Sequence, residues 1–438
     1  MQKTQRFGLQ IILAFFTCVF ITGQLAWSLS NEMNDMLKLE TESNAVSVRV
    51  HKEIKMPHLE IPLRMIKKDL AARLNPAIAK SLIFSKDGEE YFRWVINPED
   101  TQYTKVVQDF LTSKGLSAQL KYHFLGYQTA SRSYVVVDPV SHVEFSTKAS
   151  TNVTGGHWKS KKQTLDDALQ VRMITDYVHD MIAKTGPLEH IILLDEPAIF
   201  GLPTLDQAIV IRDYSSLTGS GHRFVPGFSI LHDKTGAEIA KLNGSDDPAA
   251  YWDEHYNKPL ARAIAEFTAL TGLTYDSPHS QNFLVELDEH NKPTGKIVLR
   301  DFGDTRVQRE FFSAAGREDI FPKWEAGSIR TESFYVLIGV LHGNTPPSWI
   351  DLKNDTASPS SYSQWGRDFF AEYRKEFARQ TGVDLNAANN VPDRSWLYIS
   401  QYFKLHDEPG ERFLNLVKTG HQRSNGMHLR CEALFKNI

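Results

Sequence analysis

The sequence predicts an α+β protein in which a central mixed or antiparallel sheet is flanked by helices and followed by a helical C-terminal region. Short runs rich in aromatic and β-branched residues alternate with amphipathic segments through the first two thirds of the chain. In the last third, apolar residues recur mainly at three- and four-residue spacing, which is typical of helices. With 438 residues, of which 41% are hydrophobic, the chain can form two or three globular domains.

Residues 1–28 are predicted to be a signal peptide. Two basic residues precede an apolar run at 11–22, which has the length of a signal core and is short for a membrane span. Ala26 and Ser28 fit the small-residue positions of a cleavage site after Ser28. This order of charge and apolar residues predicts export to the periplasm or the outside. The alternative is an uncleaved N-terminal anchor, which would make this segment the chain's membrane contact.

Charge and cysteine content restrict the function classes. The formal net charge of −4 gives no electrostatic argument for nucleic-acid binding, so no nucleic-acid partner is expected. Of the two cysteines, Cys18 lies within the predicted signal and Cys431 remains, so the mature chain is expected to contain no internal disulfide.

The chain after the signal is predicted to contain three regions. These are an N-terminal α/β region at 29–140, a core at 141–330 and a helical region at 331–438. In the first region, residues 61–82 indicate a helix interrupted near Pro76. Strands are expected at 91–98, 120–128, 133–140, 190–196, 207–214 and 224–231, and C-terminal helices at 331–343, 366–382 and 395–407.

Two helices of the core carry clear end signals. The segment 164–186 begins with Thr164 as a cap, has two acidic residues in its first turn, and ends at Gly186. The segment 259–272 is apolar at helical spacing and is expected to end at Gly272.

A β-hairpin at 283–299 has polar clusters at both ends. The segment "HSQN" precedes it, the breaker-rich "DEHNKPTG" forms its turn, and "RDFG" follows it. A hairpin in register brings Asn282 beside Arg300 and Asp301. We therefore expect one polar site at this open end.

The residue types at this end suit a nucleotide and its metal. Asp301 and Asn282 offer the hard oxygen ligands that Mg²⁺ prefers, and the same ion can be bridged by phosphates. His279 and Gln281 can donate hydrogen bonds to phosphate oxygens. The alternative is a polar turn that satisfies its own backbone.

A kinase-like order of residues is also present. Asp276, Asn282 and Asp301 follow one another as the catalytic and metal-binding residues of kinases do, and Asp301 begins an Asp-Phe-Gly triplet. The Asp276 to Asn282 spacing is one residue too long, and no glycine-rich loop precedes it. An exported kinase-like phosphotransferase is therefore the second hypothesis.

The stretch 251–304 resembles the siderophore synthetases that act without peptide-synthetase modules, the aerobactin-synthetase type. The motifs that carry the resemblance are His279-Ser280-Gln281-Asn282 and Arg300-Asp301-Phe302-Gly303. Upstream, "HVEFSTKASTNVTGG" and "AIVIRDYSSLTGSGHRFVPGFSIL" are similar to two further segments of that family. The resemblance covers roughly residues 140 to 305, with a weaker similarity in the helical C-terminal region.

The resemblance implies a hand-like synthetase fold with a remotely kinase-like ATP site in the core. It also implies an ATP- and Mg²⁺-dependent ligase that activates a small-molecule carboxylate as an acyl-adenylate and transfers it to an amine or hydroxyl. By the same resemblance Thr151, His279, Gln281, Asn282 and Arg300 would contact ATP. Asp301, with Asn282, would hold the metal, and His279 would be catalytic.

The chain departs from the family at two basic positions. Val143 stands where the family has a strand lysine, and Gly155 where it has a phosphate-binding arginine. Lys148, Lys159 and Arg172 are the candidates to replace these charges, and Lys148 is the one assigned a catalytic role. These departures leave open a distant enzyme with another substrate, or a non-catalytic interaction protein on the same scaffold.

Overall fold

The computed structural model describes residues 29–43, 48–155, 160–271, 273–275, 280–307, 334–335, 347–350, 364–381 and 396–397. The predicted signal peptide at 1–28 lies outside these ranges, and so does most of the C-terminal region. Within the described ranges, no helix combines the length and apolar character needed to cross a bilayer.

The larger of the two main sheets has nine strands, and every neighbouring pair in it is antiparallel. Its strands are β1 (Glu53–Pro62), β2 (Lys67–Leu70), β3 (Ile83–Lys86), β4 (Glu89–Val95), β5 (Lys121–Gln128), β6 (Tyr134–Val137), β7 (Glu144–Lys148), β9 (Ala198–Leu202) and β10 (Gln207–Asp213). Their order across the sheet is β2-β9-β10-β7-β6-β5-β1-β4-β3. Strands from both sides of residue 140 therefore belong to one sheet.

The smaller main sheet contains the predicted hairpin. Its strands are β8 (Ile191–Leu193), β11 (Arg223–Pro226), β13 (Phe283–Leu287) and β14 (Pro293–Leu299), in the order β11-β13-β14-β8. The β14 and β8 strands run parallel and the other pairs antiparallel. Two short two-stranded pairs complete the described β-structure: β12 (Leu273–Tyr275) with β15 (Thr305–Val307), and β16 (Phe334–Tyr335) with β17 (Trp396–Leu397).

The described helices flank these sheets. They are α1 (Asn31–Glu42), α2 (Pro76–Leu82), α3 (Gln102–Ser113), α4 (Leu165–Thr185), α5 (Gly227–Ile230), α6 (Asp233–Leu242), α7 (Pro248–Trp252), α8 (Lys258–Thr271) and α9 (Gln364–Thr381). A single π-helical turn at Asp253–Asn257 joins α7 to α8. The Thr164 side chain caps α4 by accepting from the Asp167 N–H, and Gly186 follows its last turn with φ 94°, as the sequence predicts.

Helix α1 lies between the two main sheets. Its Met33, Met36 and Leu37 are fully buried and belong to a cluster that we call the junction core. The junction core consists of Leu29, Met33, Met36, Leu37, Tyr127, Val135, Val137, Leu194, Tyr214, Leu217, Phe224, Leu284 and Val298. Because the cluster takes residues from both sheets, the burial of α1 holds the two sheets together.

The outer faces of the two sheets are covered by helices. One face of the small sheet, with Phe283, Val285 and Ile297, packs against residues of α4, α8 and α9. The face of the large sheet opposite the junction core packs against α2 and α3. The strand β13 is therefore buried along its whole length on both faces.

The α+β class with a mixed or antiparallel central sheet is confirmed, and two local predictions in this part of the chain are wrong. The predicted helix at 61–82 is broken up: β2 (Lys67–Leu70) is extended because it pairs with β9, and the α-helix is confined to Pro76–Leu82. Pro76 begins this helix at its first turn, where its missing N–H costs nothing, and Asn75 caps it. The predicted strand at 224–231 ends at Pro226 and continues as α5.

The C-terminal predictions have a divided outcome. The helix predicted at 366–382 is observed as α9. The strands β16 and β17 occur within 331–343 and 395–407, where helices were predicted, because these residues pair with each other. The division of the chain at residues 140 and 330 stays a prediction.

Candidate functional site

The hairpin brings the two polar motifs together as predicted. In the β13–β14 ladder Phe283 lies opposite Leu299, and beyond this pair the Arg300 N–H donates to the Asn282 carbonyl at 3.1 Å. The Arg300 Nε also donates to the Gln281 carbonyl at 2.7 Å. These two hydrogen bonds hold Gln281 and Asn282 beside Arg300 and Asp301.

Asp301 follows this junction in a left-handed conformation, with φ 63° and ψ 62°. Aspartate and asparagine tolerate this region better than most residues. Asp301 precedes a short 3₁₀ turn at Phe302–Asp304. Its Oδ1 accepts a hydrogen bond from the Lys148 Nζ at 2.7 Å, and the two side chains are 22% and 18% exposed. The pair is therefore partly open to solvent.

A second ion pair belongs to the same group of charges. Arg212 on β10 donates to Glu196 at 2.8 Å, and this pair is almost fully buried. In the β7–β10 register Lys148 lies opposite Val210. Since side chains two residues apart share a face, Lys148 and Arg212 lie on the same face of the large sheet.

The charges of this group shift the pKa values of its acids in opposite directions. Burial alone would raise the pKa of Asp301, but the positive charges of Lys148 and Arg212 outweigh it and hold that pKa well below its usual range. Burial raises the pKa of Glu196 despite the neighbouring Arg212, and the negative charge of Asp301 adds to this rise. Asp301 is therefore ionised at neutral pH.

A third ion pair links the site to the N-terminal helix. The guanidinium of Arg300 donates to the carboxylate of Glu40, whose side chain is fully buried. Tyr214 is also fully buried, and its hydroxyl lies within electrostatic reach of Arg212, Arg300 and Glu40. Burial dominates and raises the pKa of Tyr214.

The remaining predicted residues have different surroundings. Thr151 is fully buried, and its hydroxyl accepts from Asn97 Nδ2 at 3.0 Å while its backbone pairs with Lys161. Arg172 makes two hydrogen bonds to Asp176, at 2.7 and 2.6 Å. The ATP contacts assigned to Thr151 and Arg300 stay predictions. In the structure both side chains have polar partners within the protein.

Three of the predicted residues, Asp276, His279 and Lys159, lie outside the described residues. Gln281 and Asn282 are placed at the hairpin end, half-buried and buried respectively, and their contact with ATP stays a prediction.

The structure adds Arg212, Glu196 and Glu40 to the site. For Arg212 a signal was present, because an arginine in the otherwise apolar strand "AIVIRD" must find a buried partner. For Glu196 the signal was weaker: it is an acid at the end of the strand predicted at 190–196. Glu40 offered no signal, because its partner Arg300 is 260 residues away in the chain.

A separate group of potential metal ligands occurs among the described residues. It consists of Glu189, His190 and Glu376, whose ligand atoms all lie within 4.8 Å of one another. However, Arg379 Nη2 donates to both carboxylates at 2.6 Å. The arginine already compensates these charges, so we assign no metal to this group.

The fold is shared with known synthetases. The petrobactin biosynthesis protein AsbB from Bacillus anthracis str. Sterne superposes with a TM-score of 0.52 at 14% identity, covering 67% of this chain and 58% of that one. The aerobactin synthetase IucC from Klebsiella pneumoniae gives a TM-score of 0.50 at 11% identity, covering 84% and 64%. The chain thus spans less than two thirds of either protein. No family model and no curated protein sequence matches the chain. The synthetase fold expected from the motifs is confirmed.

Proposed function

From this shared fold we propose that the protein binds Mg-ATP and activates a small-molecule carboxylate as an acyl-adenylate. In this reaction a carboxylate oxygen of the acid attacks the α-phosphorus of ATP and pyrophosphate leaves. An amine or hydroxyl then attacks the acyl carbon, and AMP leaves with formation of an amide or ester. The acid and the acceptor are the predicted partners of the chain.

The observation that carries the proposal is the partly exposed Lys148–Asp301 pair beside the end of the hairpin. A polyphosphate requires fixed positive charge, and Lys148 with the neighbouring Arg212 supplies it on one face of the large sheet. Cations so placed stabilise the charge that develops on the phosphoryl oxygens during adenylation. The catalytic role of Lys148 is part of this proposal.

The same junction suits Mg²⁺. Because its pKa is lowered, Asp301 is ionised and offers a hard oxygen ligand. Asn282, at the adjoining strand end, has an amide oxygen that could be a second ligand. These two residues would hold the ion, whose chemistry is to neutralise phosphate charge. Lys148 would then give up Asp301 as its partner and be available to the phosphates, since both cations compete for one carboxylate.

A specific observation favours a second function, a non-catalytic binding protein on the same scaffold. The three cations Lys148, Arg212 and Arg300 each already have a carboxylate partner in the described structure. A nucleotide would have to compete with these internal pairs. On this hypothesis Mg-ATP would not stabilise the protein.

One set of assays decides between these functions. We would incubate the protein with Mg-ATP and a panel of di- and tricarboxylic acids, using hydroxylamine as the acceptor, and measure pyrophosphate, AMP, ADP and hydroxamate. Pyrophosphate and hydroxamate would support the ligase. ADP with a phosphorylated product would instead select the kinase-like phosphotransferase, and no turnover with no thermal shift would select the binding protein.

A matched pair of variants ties the activity to the site. Lys148→Gln should lower pyrophosphate release by about 100-fold, the order expected for losing one preorganised charge at a transition state. Lys162→Gln is the control, because Lys162 makes a similar pair with Asp206 at 3.0 Å on an exposed surface. Equal loss in both variants would argue against a specific role for Lys148.

Export remains a proposal, based on the composition of residues 1–28. Export of the protein conflicts with its use of ATP, because compartments outside the inner membrane normally hold little ATP. Fractionation of cells that express the full chain would show which compartment the protein reaches.

A further inference from the structure

Helix α1 reaches the candidate site through a single carboxylate. Glu40 is fully buried in the last turns of α1. One of its oxygens accepts from the Ala130 N–H at 3.2 Å, in the loop after β5 of the large sheet. The other accepts from Arg300, directly after β14 of the small sheet. Glu40 therefore bridges the two sheets.

Arg300 transmits this contact to the proposed ATP- and metal-binding residues. Its Nε holds the Gln281 carbonyl at 2.7 Å, and its N–H holds the Asn282 carbonyl. The next residue, Asp301, is held by Lys148 of the large sheet. Two consecutive residues are thus fixed by ion pairs to different elements, which restrains the strand end between them.

The helix itself is held in place by other contacts. Met33, Met36 and Leu37 are buried in the junction core. Asp35 accepts from the Arg223 Nε at 3.1 Å, and the Ser30 hydroxyl donates to Glu144 at 2.7 Å. Because these contacts anchor α1, changing the charge of Glu40 should leave the helix docked.

A buried ion pair of this kind orients groups more than it stabilises a fold. Desolvation of two charges offsets most of their attraction, so apolar residues could fill the same space at similar stability. What apolar residues could not supply is a fixed position for the guanidinium that holds Gln281 and Asn282.

We propose that Glu40 is a positioning residue that sets Arg300, and through it Gln281, Asn282 and Asp301, for Mg-ATP. This inference rests on the proposed function and adds α1 to the site. Glu40 touches no substrate in this scheme. It acts through Arg300.

The test uses three single variants of the full chain. Glu40→Gln keeps an oxygen for the Ala130 N–H but removes the charge. Glu40→Asp keeps the charge on a side chain one methylene shorter. Glu42→Gln changes an exposed glutamate in the same helix and is the control. Circular dichroism and melting curves establish that each variant is folded.

The binding readout is Mg-ATP affinity by isothermal titration calorimetry. We expect Glu40→Gln to weaken it by about 10- to 100-fold, the range for loss of a residue that orients a ligand-binding group. Glu40→Asp should recover part of this loss, and Glu42→Gln should bind as the wild type does. A folded Glu40→Gln variant with wild-type affinity would overturn the inference.

A second readout does not depend on nucleotide. Hydrogen exchange at the Arg300 amide, which is protected by Asn282, should become faster in Glu40→Gln and stay unchanged in Glu42→Gln. If the wild type fails to bind Mg-ATP, the proposed function is wrong, and unchanged exchange would then reject the positioning role as well. If Glu40→Gln does not fold, wild-type affinity and exchange in Glu40→Asp would reject it.

Discussion

The Lys148 Nζ and the Asp301 Oδ1 lie 2.7 Å apart, although 153 residues separate them in the chain. Lys148 ends a strand of the large sheet, and Asp301 follows the last strand of the small sheet. The pair therefore joins the two sheets at the point where the motifs meet. It also keeps Asp301 ionised, because the lysine charge helps to lower its pKa.

Asp301→Asn should abolish the stabilisation by Mg-ATP. Asparagine accepts the left-handed backbone but carries no charge. At a ligand concentration one hundred times Kd, the wild type should gain about 2.7 kcal/mol of unfolding free energy, and the variant should gain none. Without ligand the variant should lose about 1–2 kcal/mol, because Lys148 loses its partner in a partly solvated pair. Melting curves with and without Mg-ATP measure both effects.

Asp206→Asn is the matched control for this variant. Asp206 is also left-handed, with φ 47°, and also pairs with a lysine. Its Mg-ATP response should equal that of the wild type. If Mg-ATP still stabilised Asp301→Asn, Asp301 would not be a metal ligand.

Arg212→Met should destabilise the protein by about 3–5 kcal/mol. The substitution leaves Glu196 buried without its cation, which is the costly way to break a buried ion pair. The double variant Glu196→Leu with Arg212→Met should recover much of this loss, since no unpaired charge then remains. Urea denaturation of the wild type, both single variants and the double variant gives the coupling energy. Additive losses would mean that the two side chains act independently.

His58 should make the fold less stable in acid. It is buried on β1, and burial, with the charge of Arg93 as a smaller cause, lowers its pKa from 6.5 to about 4. Lys121 and His123 also contribute to this lowered pKa, while Glu60 opposes the shift. The unfolded chain therefore binds more protons than the folded one between these values, so stability is full above pH 6.5 and falls toward pH 4.

The size of this effect is at most about 3.4 kcal/mol, from 1.36 kcal/mol per pKa unit. His58→Gln should remove that part of the pH dependence, whereas His290→Gln, at an exposed turn, should leave it unchanged. The measurement is the unfolding free energy at pH 7 and pH 4.5. An identical pH profile in the wild type and His58→Gln would show that this histidine does not titrate in the assumed range.

Gly227→Ala should disturb the 3₁₀ turn at Ser280–Asn282. A Cβ at Gly227 would lie 2.8 Å from the Ser280 carbonyl oxygen, a backbone atom that cannot rotate away. We expect a loss of about 1–3 kcal/mol, as for other overpacked sites, together with weaker Mg-ATP binding. Denaturation and calorimetry test the two effects separately.

Gly201→Ala provides the comparison for Gly227→Ala. Its Cβ would meet the Leu165 Cδ1 at 2.5 Å, but this atom is the end of a side chain that can change rotamer. Its stability loss should be smaller, and its Mg-ATP affinity should be unchanged. A larger loss at Gly201 would show that Leu165 cannot move within its cluster.

Sequence alone determined the features that depend on neighbours in the chain. The caps and length of α4, the existence of α9 and the β13–β14 hairpin follow from periodicity, breakers and turn residues, which act over a few positions. The meeting of Asn282 with Arg300 follows from the hairpin register. The fold class and the synthetase-like motifs could also be predicted, because they too are patterns of residues close together in the chain.

Tertiary structure alone decided the pairings between distant segments. Residues 61–70 carry an apolar spacing that suits a helix, yet β2 is extended because it pairs with β9. The contacts Lys148–Asp301 and Arg300–Glu40 depend on how two sheets and α1 pack, and no local pattern encodes that arrangement. Backbone hydrogen bonds within a helix or hairpin form between near neighbours, whereas buried charges take whichever partner the packed core brings within reach.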